Sequence, residues 1–323
     1  MIKVSVVIPT FNRRLLLKKC LNRLCRQDLD PSEFEMIVAD DENNLATKTL
    51  IVRMKAENPQ HNFVYTRVEP LHGPASARNA GWRRAKGELI AFTDDDCLPN
   101  PDWLSCGLAA IDTHVDAAWG KVIVPLPEHP TDFQLNTAGL SKEQFVSANC
   151  FCRKSTIEKI NGFDERFYKP WREDSDLYFT LVEEGANVRY VPSMIVYHPP
   201  QEAPFGVSIF LQKNNIFEPL LYKKHRELYK KYVHSPLMRI FYPIVTFLIL
   251  LVLSLVFWQG FGLTLIAFVG WATFTGSFIF QRLRRSSHDI RHIWEMIVTS
   301  VLIPPLAVYW RMVGAVRFKV LFI

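Results

Sequence analysis

Cysteine pairs spaced for a metal site are missing from this chain. Its six cysteines, Cys20, Cys25, Cys97, Cys106, Cys150 and Cys152, contain no pair of C-x-x-C motifs, so they read as reduced structural residues. No internal repeat and no low-complexity tract is present. No apolar leader precedes the first strand-like run, because Met1-Ile2-Lys3 leads straight into Val4-Ser5-Val6-Val7-Ile8. The N-terminal part is therefore expected to stay in the cytosol. A large excess of one charge is lacking too: the net charge is +6. The basic residues gather at Lys223-Lys224-His225-Arg226 with Lys230-Lys231, and again at Arg282-Leu283-Arg284-Arg285. Both clusters flank an apolar region, which suits an anionic membrane leaflet and argues against nucleic acid as a partner. Within that region charge disappears: Ile240 to Phe257 and Phe261 to Phe280 carry none. Each run approaches the ~20 residues that cross hydrocarbon. Only Trp258-Gln259-Gly260 separates them, so the pair reads as a membrane hairpin.

Against these absences stands one concentrated presence. Asp94-Asp95-Asp96 closes the apolar run Leu89-Ile90-Ala91-Phe92 and is followed by Cys97-Leu98-Pro99. Three like charges at a strand end repel one another and are costly to desolvate unless a cation sits among them. Hard oxygen donors at this density suit Mg²⁺ or Mn²⁺, which complete their shells with water and substrate phosphates. A solvated acidic turn is the alternative reading of the same residues.

The rest of the first 200 residues alternates strands and helices. Strands are expected at Val4–Ile8, Glu35–Ala39, Phe63–Thr66, Leu89–Thr93, Ala117–Val124, Ser147–Arg153, Val188–Val191 and Ile195–Tyr197. Helices are expected at Leu15–Arg26, Leu45–Glu57, Ser76–Arg84, Asp102–Ile111, Ser155–Ile160 and Glu173–Glu184. Such alternation predicts an α/β domain with a doubly wound, mostly parallel sheet, whose ligand lies beyond the carboxyl ends of the strands. Thr10, Asp40, Asp41 and Asp94 to Asp96 all fall at those ends. Val207 to Val233 is basic, aromatic and amphipathic, and is expected at the membrane surface.

The pieces VSVVIPTFNR (Val4–Arg13), VADDEN (Val38–Asn43) and GPASARNAGWRRAKGELIAFTDDDCLPNPDWL (Gly73–Leu104) stand in an order and spacing that resemble a known family. So do SANCFCRK (Ser147–Lys154), NGFDERF (Asn161–Phe167) and WREDSDLYFTLVEEG (Trp171–Gly185). Together they are similar to family 2 glycosyltransferases of the GT-A fold, in a bacterial, membrane-attached form. Where the family usually has Gly-Ser after the second strand, this chain has Glu42-Asn43. The resemblance implies a Rossmann-like GT-A catalytic domain over residues 1–205, an interfacial segment over 206–235 and a helical membrane region over 236–323. It implies an inverting, metal-dependent hexosyltransferase that uses a nucleotide diphosphosugar, with Mg²⁺ or Mn²⁺ at the family's DXD motif. It places Pro9, Thr10, Asp40 and Asp41 at the nucleobase, Asp94 and Asp95 near ribose and phosphate, and Arg78 and Asn79 near diphosphate and sugar. Asp96 and His198 would hold the metal, and Asp174, preceded by Glu173, would be the general base. Asn149 and Trp171 would meet the acceptor. The bare residues leave other roles open: Asp174 and Asp176 as first-turn helix acids, His198 as a structural imidazole, Trp171 as a core residue, Asn149 as a loop anchor.

The implied acceptor is a lipid or lipid-linked glycan in envelope polysaccharide or glycolipid assembly, with the catalytic domain on the cytoplasmic side of a multi-pass inner-membrane protein. Two other functions fit part of the pattern. A processive polysaccharide synthase would carry Q-x-x-R-W on an interfacial helix, but Gln212 is followed by Lys213-Asn214-Asn215-Ile216. A degenerate transferase acting as a membrane scaffold would have lost acids that are all present. For topology, Arg282, Arg284, Arg285 and Arg291 place the loop after the hairpin in the cytoplasm. The third apolar segment, 293–313, is expected to break at Pro304-Pro305 and re-enter, leaving Ile323 cytoplasmic, with a full crossing as the alternative.

Overall fold

The run Val4-Ser5-Val6-Val7-Ile8-Pro9-Thr10 forms β1 (Val4–Thr10), buried along nearly its whole length. It is a central strand, and continuous apolar runs are what strands covered on both faces require. In this computed structural model, which describes residues 1–233, 236–257 and 260–322, the chain forms two compact units. The first comprises Met1–Pro125 and Ala138–Pro200, the second Leu126–Thr137 and Gln201–Ile323.

In the first unit, β1 pairs in parallel with β2 (Phe34–Asp40) on one side and β4 (Leu89–Phe92) on the other. β3 (Asn62–Arg67) extends the sheet beyond β2. The crossovers are α1 (Arg14–Leu24), α2 (Leu45–Glu57) and α3 (Pro74–Trp82). Chain direction through the sheet reverses at β1, and in such sheets the crevice forms beyond the carboxyl ends of the strands at the switch point. The Asn44 side chain caps α2 by accepting from the Ala46 N–H, and Pro74 opens α3 at a position where its missing N–H costs nothing.

The second half of the sheet holds the antiparallel pairings of this mostly parallel sheet. β5 (Leu98–Pro99), β6 (Ala117–Ile123), β7 (Cys150–Arg153) and β8 (Val188–Tyr197) give the order β3-β2-β1-β4-β7-β6-β8-β5. β7 runs antiparallel to both β4 and β6, and β5 antiparallel to β8. β6 and β8 are parallel, with a register irregularity at Gly120/Lys121. The two short strands expected at 188–191 and 195–197 are thus one strand with a kink. Ser147–Asn149, expected to begin a strand, is a single 3₁₀ turn ahead of β7. Three further helices complete this part of the chain: α4 (Trp103–Ala110), α6 (Lys154–Lys159) and α7 (Glu173–Glu183), with α5 (Asp132–Ala138) between the first two in the sequence. One apolar cluster, around Leu17, Leu21, Phe34, Met36 and Trp103, covers one face of the sheet. Another, around Val7, Ile90, Phe92, Phe163 and Leu177, covers the other.

In the second unit the expected amphipathic stretch is several short pieces: α8 (Val207–Leu211), a 3₁₀ run at Gln212–Phe217, α9 (Glu218–Lys224) and α10 (Arg226–Tyr232). Then come α11 (Pro236–Val256), α12 (Phe261–Leu283) and α13 (Ile290–Arg317), each long and apolar enough to cross a membrane. Of the expected hairpin turn, Trp258 and Gln259 lie outside the described residues, as does Ile323. α13 is continuous through Pro304 and Pro305. The expected break is absent; each proline removes one helical N–H, yet the 28-residue helix carries on. Met238, Phe241, Ile244, Phe278, Ile303 and Ala307 form the core among the three helices. Their outward faces present Leu253, Val256, Ile266, Phe268, Val269 and Tyr309, an exposed apolar surface of the kind that marks a membrane or protein contact. α13 also lies against the 3₁₀ run. A Cβ on Gly314 would collide with the Ile216 carbonyl, so this approach needs glycine.

Candidate active site

The carboxyl ends of β1 and β4 and the start of α7 bring the acids together in the first unit. Asp94 follows β4 and is partly exposed, whereas Asp95 and Asp96 are buried. Thr10, the last residue of β1, donates its hydroxyl to Asp95 Oδ2 at 2.7 Å. Arg13 stands 2.9 Å from Asp96 Oδ2 and 3.4 Å from Asp95 Oδ1. Burial pushes Asp95 up to about 7; the Thr10 bond and Arg13 pull against that rise, and the charges of Asp96 and Asp94 add to it. Asp96 is raised as well, by burial first, with His198 and Arg13 opposing.

His198 follows β8, with its Nε2 3.3 Å from Asp96 Oδ1. Among the described residues, Asp96 Oδ1 and His198 Nδ1 are buried without a hydrogen bond. The ligand atoms of Asp94, Asp96, Cys97 and His198 all lie within 4.8 Å of one another. Cys97 offers a buried sulfur, a softer donor than the carboxylates and imidazole beside it. What remains is a carboxylate and imidazole set. Such a set fits a hard or borderline divalent cation such as Mg²⁺ or Mn²⁺, and Asp96 Oδ1 would gain a partner.

A second constellation adjoins the first. Arg78, on α3, is buried between two acids: it reaches Asp94 Oδ1 at 2.8 Å and Glu173 Oε1 at 3.2 Å. Burial disfavours its charge, but Asp94, Glu173 and Asp174 more than reverse this and raise its pKa. Glu173 is 3% exposed. Burial, then the neighbouring Asp174, raises its carboxyl to about 8 despite Arg78. Asp174 is partly exposed, with Oδ2 accepting from the Ser147 N–H at 3.2 Å. Of the two acids opening α7, Asp174 is the one that reaches towards solvent. Arg172 precedes them in the left-handed region, φ 72°. Trp171 is 40% exposed beside this turn, with the Arg172 guanidinium 5.1 Å from its ring.

Three expected ligand contacts turn inward. Asp40 is fully buried and accepts from the Glu42 and Asn44 N–H groups and from the Tyr65 hydroxyl, so it braces the loop after β2. Asn79 donates to the Phe163 carbonyl and Glu165, and accepts from Trp82 Nε1 and the Phe163 N–H. It holds the 161–165 loop. Asn149 accepts from Trp103 Nε1 and donates to the Lys121 and Met194 carbonyls. Replacing Asn149 with leucine is expected to cost about 3 kcal/mol of stability, because Trp103 Nε1 and the Met194 carbonyl, both buried, and the part-buried Lys121 carbonyl lose their partner. Urea unfolding measures this. A variant that unfolds like wild type yet loses turnover would return Asn149 to the substrate.

Asp41 lies nearer the surface. It accepts from the Gly73 N–H at 2.9 Å, and His72 Nδ1 is 3.0 Å from its Oδ1. Its hydrogen bond raises the His72 pKa. Gly73 has φ +115°, and a Cβ there would stand 2.6 Å from the Tyr168 carbonyl oxygen. Gly73→Ala is expected to destabilise the fold by about 1–3 kcal/mol through strain and collision, read as a lowered thermal midpoint. Pro9 sits within β1 directly before Thr10. Arg13, His72 and the buried Arg78–Glu173 pair are features that no local sequence signal assigned. Arg13 lies within a quoted family segment, but its contact to the acids depends on how α1 leaves β1.

The sequence model of glycosyl transferase family 2 matches residues 5–171. This chain belongs to that family. It is similar to glycosyltransferase AglE of Haloferax volcanii, 27% identical over 220 residues, 63% of this chain and 68% of that protein. It is 38% identical over 224 residues to validoxylamine A glucosyltransferase of Streptomyces hygroscopicus subsp. limoneus, covering 56% of this chain and 48% of the relative. A third relative is the GalNAc(5)-diNAcBac-PP-undecaprenol beta-1,3-glucosyltransferase of Campylobacter jejuni, 33% identical over 194 residues, 56% of this chain and 60% of that protein. The chain thus spans from about half to two thirds of the length of these relatives. Among solved structures, the mannosyltransferase PcManGT of Pyrobaculum calidifontis superposes with TM-score 0.61 at 18% identity, covering 96% of this chain and 87% of that one. The GT-A fold is thereby shown.

Proposed function

We propose that this protein is a membrane-attached, metal-dependent inverting glycosyltransferase that moves a sugar from a nucleotide diphosphosugar to a lipid or lipid-linked glycan. The single observation that carries the reading is the acid constellation: Asp94 to Asp96 at the end of β4, facing Asp174 at the start of α7, tied by Arg78 between Asp94 and Glu173. Relatives named as an undecaprenol-linked glucosyltransferase and a glucosyltransferase support the class of reaction. The fold neighbour solved with GDP-Man and Mn²⁺ supports a divalent ion.

Asp96 and His198, with Asp94, would hold the metal. Bound there, a divalent cation neutralises negative charge on a leaving diphosphate, an effect worth several kcal/mol. Thr10 orients Asp95 through the hydroxyl bond. Pro9, Thr10 and Asp41 line the base side of the cleft, where Glu42-Asn43 replaces the family's usual Gly-Ser. Asp174 takes the proton from the acceptor hydroxyl as that oxygen bonds to the anomeric carbon. The bond from that carbon to the diphosphate oxygen breaks, and its electron pair leaves with the nucleoside diphosphate. One base on the face opposite the leaving group suits a single displacement, and hence inversion. Arg78 holds Glu173 and Asp94 behind the reacting atoms and offsets part of the negative charge around Asp174. Trp171, exposed beside Asp174, is placed to stack on an acceptor ring.

The bilayer setting rests on α11 to α13, whose apolar faces need lipid. The experiment is transfer of radiolabelled sugar, from a panel of nucleotide diphosphosugars, into membranes carrying the protein. Label in the fraction that organic solvent extracts supports this reading. Label only in water-soluble polymer overturns the acceptor class and favours a processive synthase.

A further inference from the structure

Within the second unit, a cavity of about 300 Å³ opens between α8, the 131–134 segment and the first turns of α13. That volume is at the small end of the range for small-molecule sites. Its α13 wall is one helical face, His292, Glu295 and Met296, spaced three and four residues apart. Opposite stand Ser208 and Val207 of α8, with Asp132 and Phe133 closing a third side.

Two polar atoms in this lining are unsatisfied. Ser208 is 8% exposed and His292 6%. Among the described residues, Ser208 Oγ and His292 Nδ1 make no hydrogen bond. Buried polar groups are nearly always paired, so each such atom calls for an explanation. The neighbouring groups are committed. Glu295 Oε1 accepts from the Gly206 N–H at 2.7 Å, which leaves its Oε2 3.7 Å from His292 Nδ1. His292 Nε2 accepts from the Asp132 N–H, which puts the ring's remaining nitrogen towards a new partner.

The charges select the ligand. One strong cation, Arg282, reaches the lining at Asp132 and is already engaged. It donates to Thr299 Oγ1 at 2.7 Å, Ser300 Oγ at 2.9 Å and Asp132 Oδ2 at 2.7 Å. What remains in the lining is acidic, with Glu202 and Glu295 beside the engaged Asp132. The lining itself holds no lysine or arginine, so a phosphate inside it would meet carboxylates, a repulsive arrangement. A metal is disfavoured too: among the described residues, the only close group of three or more potential ligands is the one at Asp94 to His198. A neutral group rich in hydroxyls fits, because each hydroxyl donates and accepts. It could donate to Glu295 Oε2, exchange hydrogen bonds with Ser208 and His292, and rest its ring carbons on Met296, Val207 and Phe133.

The cavity is also placed for a membrane-borne molecule. It lies where α12 ends and α13 begins, next to the basic run Arg282-Leu283-Arg284-Arg285 and at the polar end of helices whose flanks are apolar. An anchor chain could lie along those flanks while its head group enters.

We propose that this cavity binds the neutral glycosyl head group of a membrane-borne glycolipid. Calling that glycolipid the acceptor rests on the transferase reading above; the binding itself does not. The test therefore uses no donor. The full chain in nanodiscs is irradiated with a decyl glycoside that carries a diazirine next to the sugar, and adducts are mapped by mass spectrometry. Labelling is expected at 131–134, 201–208 and 292–296. It should fall about fivefold in Ser208→Val and in His292→Leu, the loss of one hydrogen bond each, and persist in Ser208→Thr, which keeps the hydroxyl. Methyl glycoside in solution should compete only at far higher concentration. Equal competition by methyl glycoside would overturn the membrane source and assign the cavity to a soluble saccharide. Labelling by decyl phosphate as strong as by the glycoside, or labelling unchanged in both variants, would overturn the proposal. A failed sugar-transfer experiment with cavity labelling intact would sink the transferase reading alone.

Discussion

Replacing Asp96 with alanine is expected to lower sugar transfer by roughly 10³-fold or more. The estimate follows from losing a cation that contributes several kcal/mol to a charged leaving group, at about 1.4 kcal/mol per factor of ten. Asp96 is the residue on which the site converges: Arg13 stands 2.9 Å from one oxygen, and His198 faces the other. Alanine removes both oxygens and leaves Arg13 with Asp95 alone. The same loss should appear in the wild-type protein treated with a chelator, and adding chelator to the variant should change little further. Turnover of the variant close to wild type, with or without chelator, would contradict the role assigned to Asp96.

Asp174→Asn should be the second largest effect. The amide keeps the shape of the side chain and can still accept from the Ser147 N–H, but it cannot take a proton. A loss of about 10²–10⁴-fold in turnover is expected, with donor affinity little changed, because Asp174 stands at α7 and the donor-side acids follow β4. Loss appearing in donor affinity, or a collapse of the melting transition, would instead make Asp174 a helix-start acid. The structure already separates it from Glu173: Glu173 is buried against Arg78, whereas Asp174 is partly exposed.

Much of this was legible in the chain itself, for local reasons. β1, β2 and β4 are short apolar runs ended by polar residues, and the acids follow immediately, so strand and site share one signal. The helices 45–57 and 173–183 begin at caps or acids that the sequence displays. The direction of β7 was not legible, because a strand inserted antiparallel reads the same as a parallel one. Nor were the inward turns of Asp40, Asn79 and Asn149. A buried polar residue and a ligand-binding one look alike in sequence, and only the partners at Trp103, Phe163 and Tyr65, brought from distant parts of the chain, decide between them. Pro304-Pro305 misled for the opposite reason. A local rule predicted a break, and α13 runs on through both prolines. Its middle includes Ile303, Pro304 and Ala307, all buried, with Ile303 and Ala307 in the core of the three-helix cluster. Here packing overrides a local preference.

The most direct measurement of the central claim is release of nucleoside diphosphate by the purified full chain in nanodiscs, across a panel of nucleotide diphosphosugars, with Mn²⁺ and with chelator. Release from at least one donor in Mn²⁺ is expected, abolished by chelator and absent in Asp96→Ala. Release that continues unchanged in chelator, or that Asp96→Ala retains, would contradict that claim.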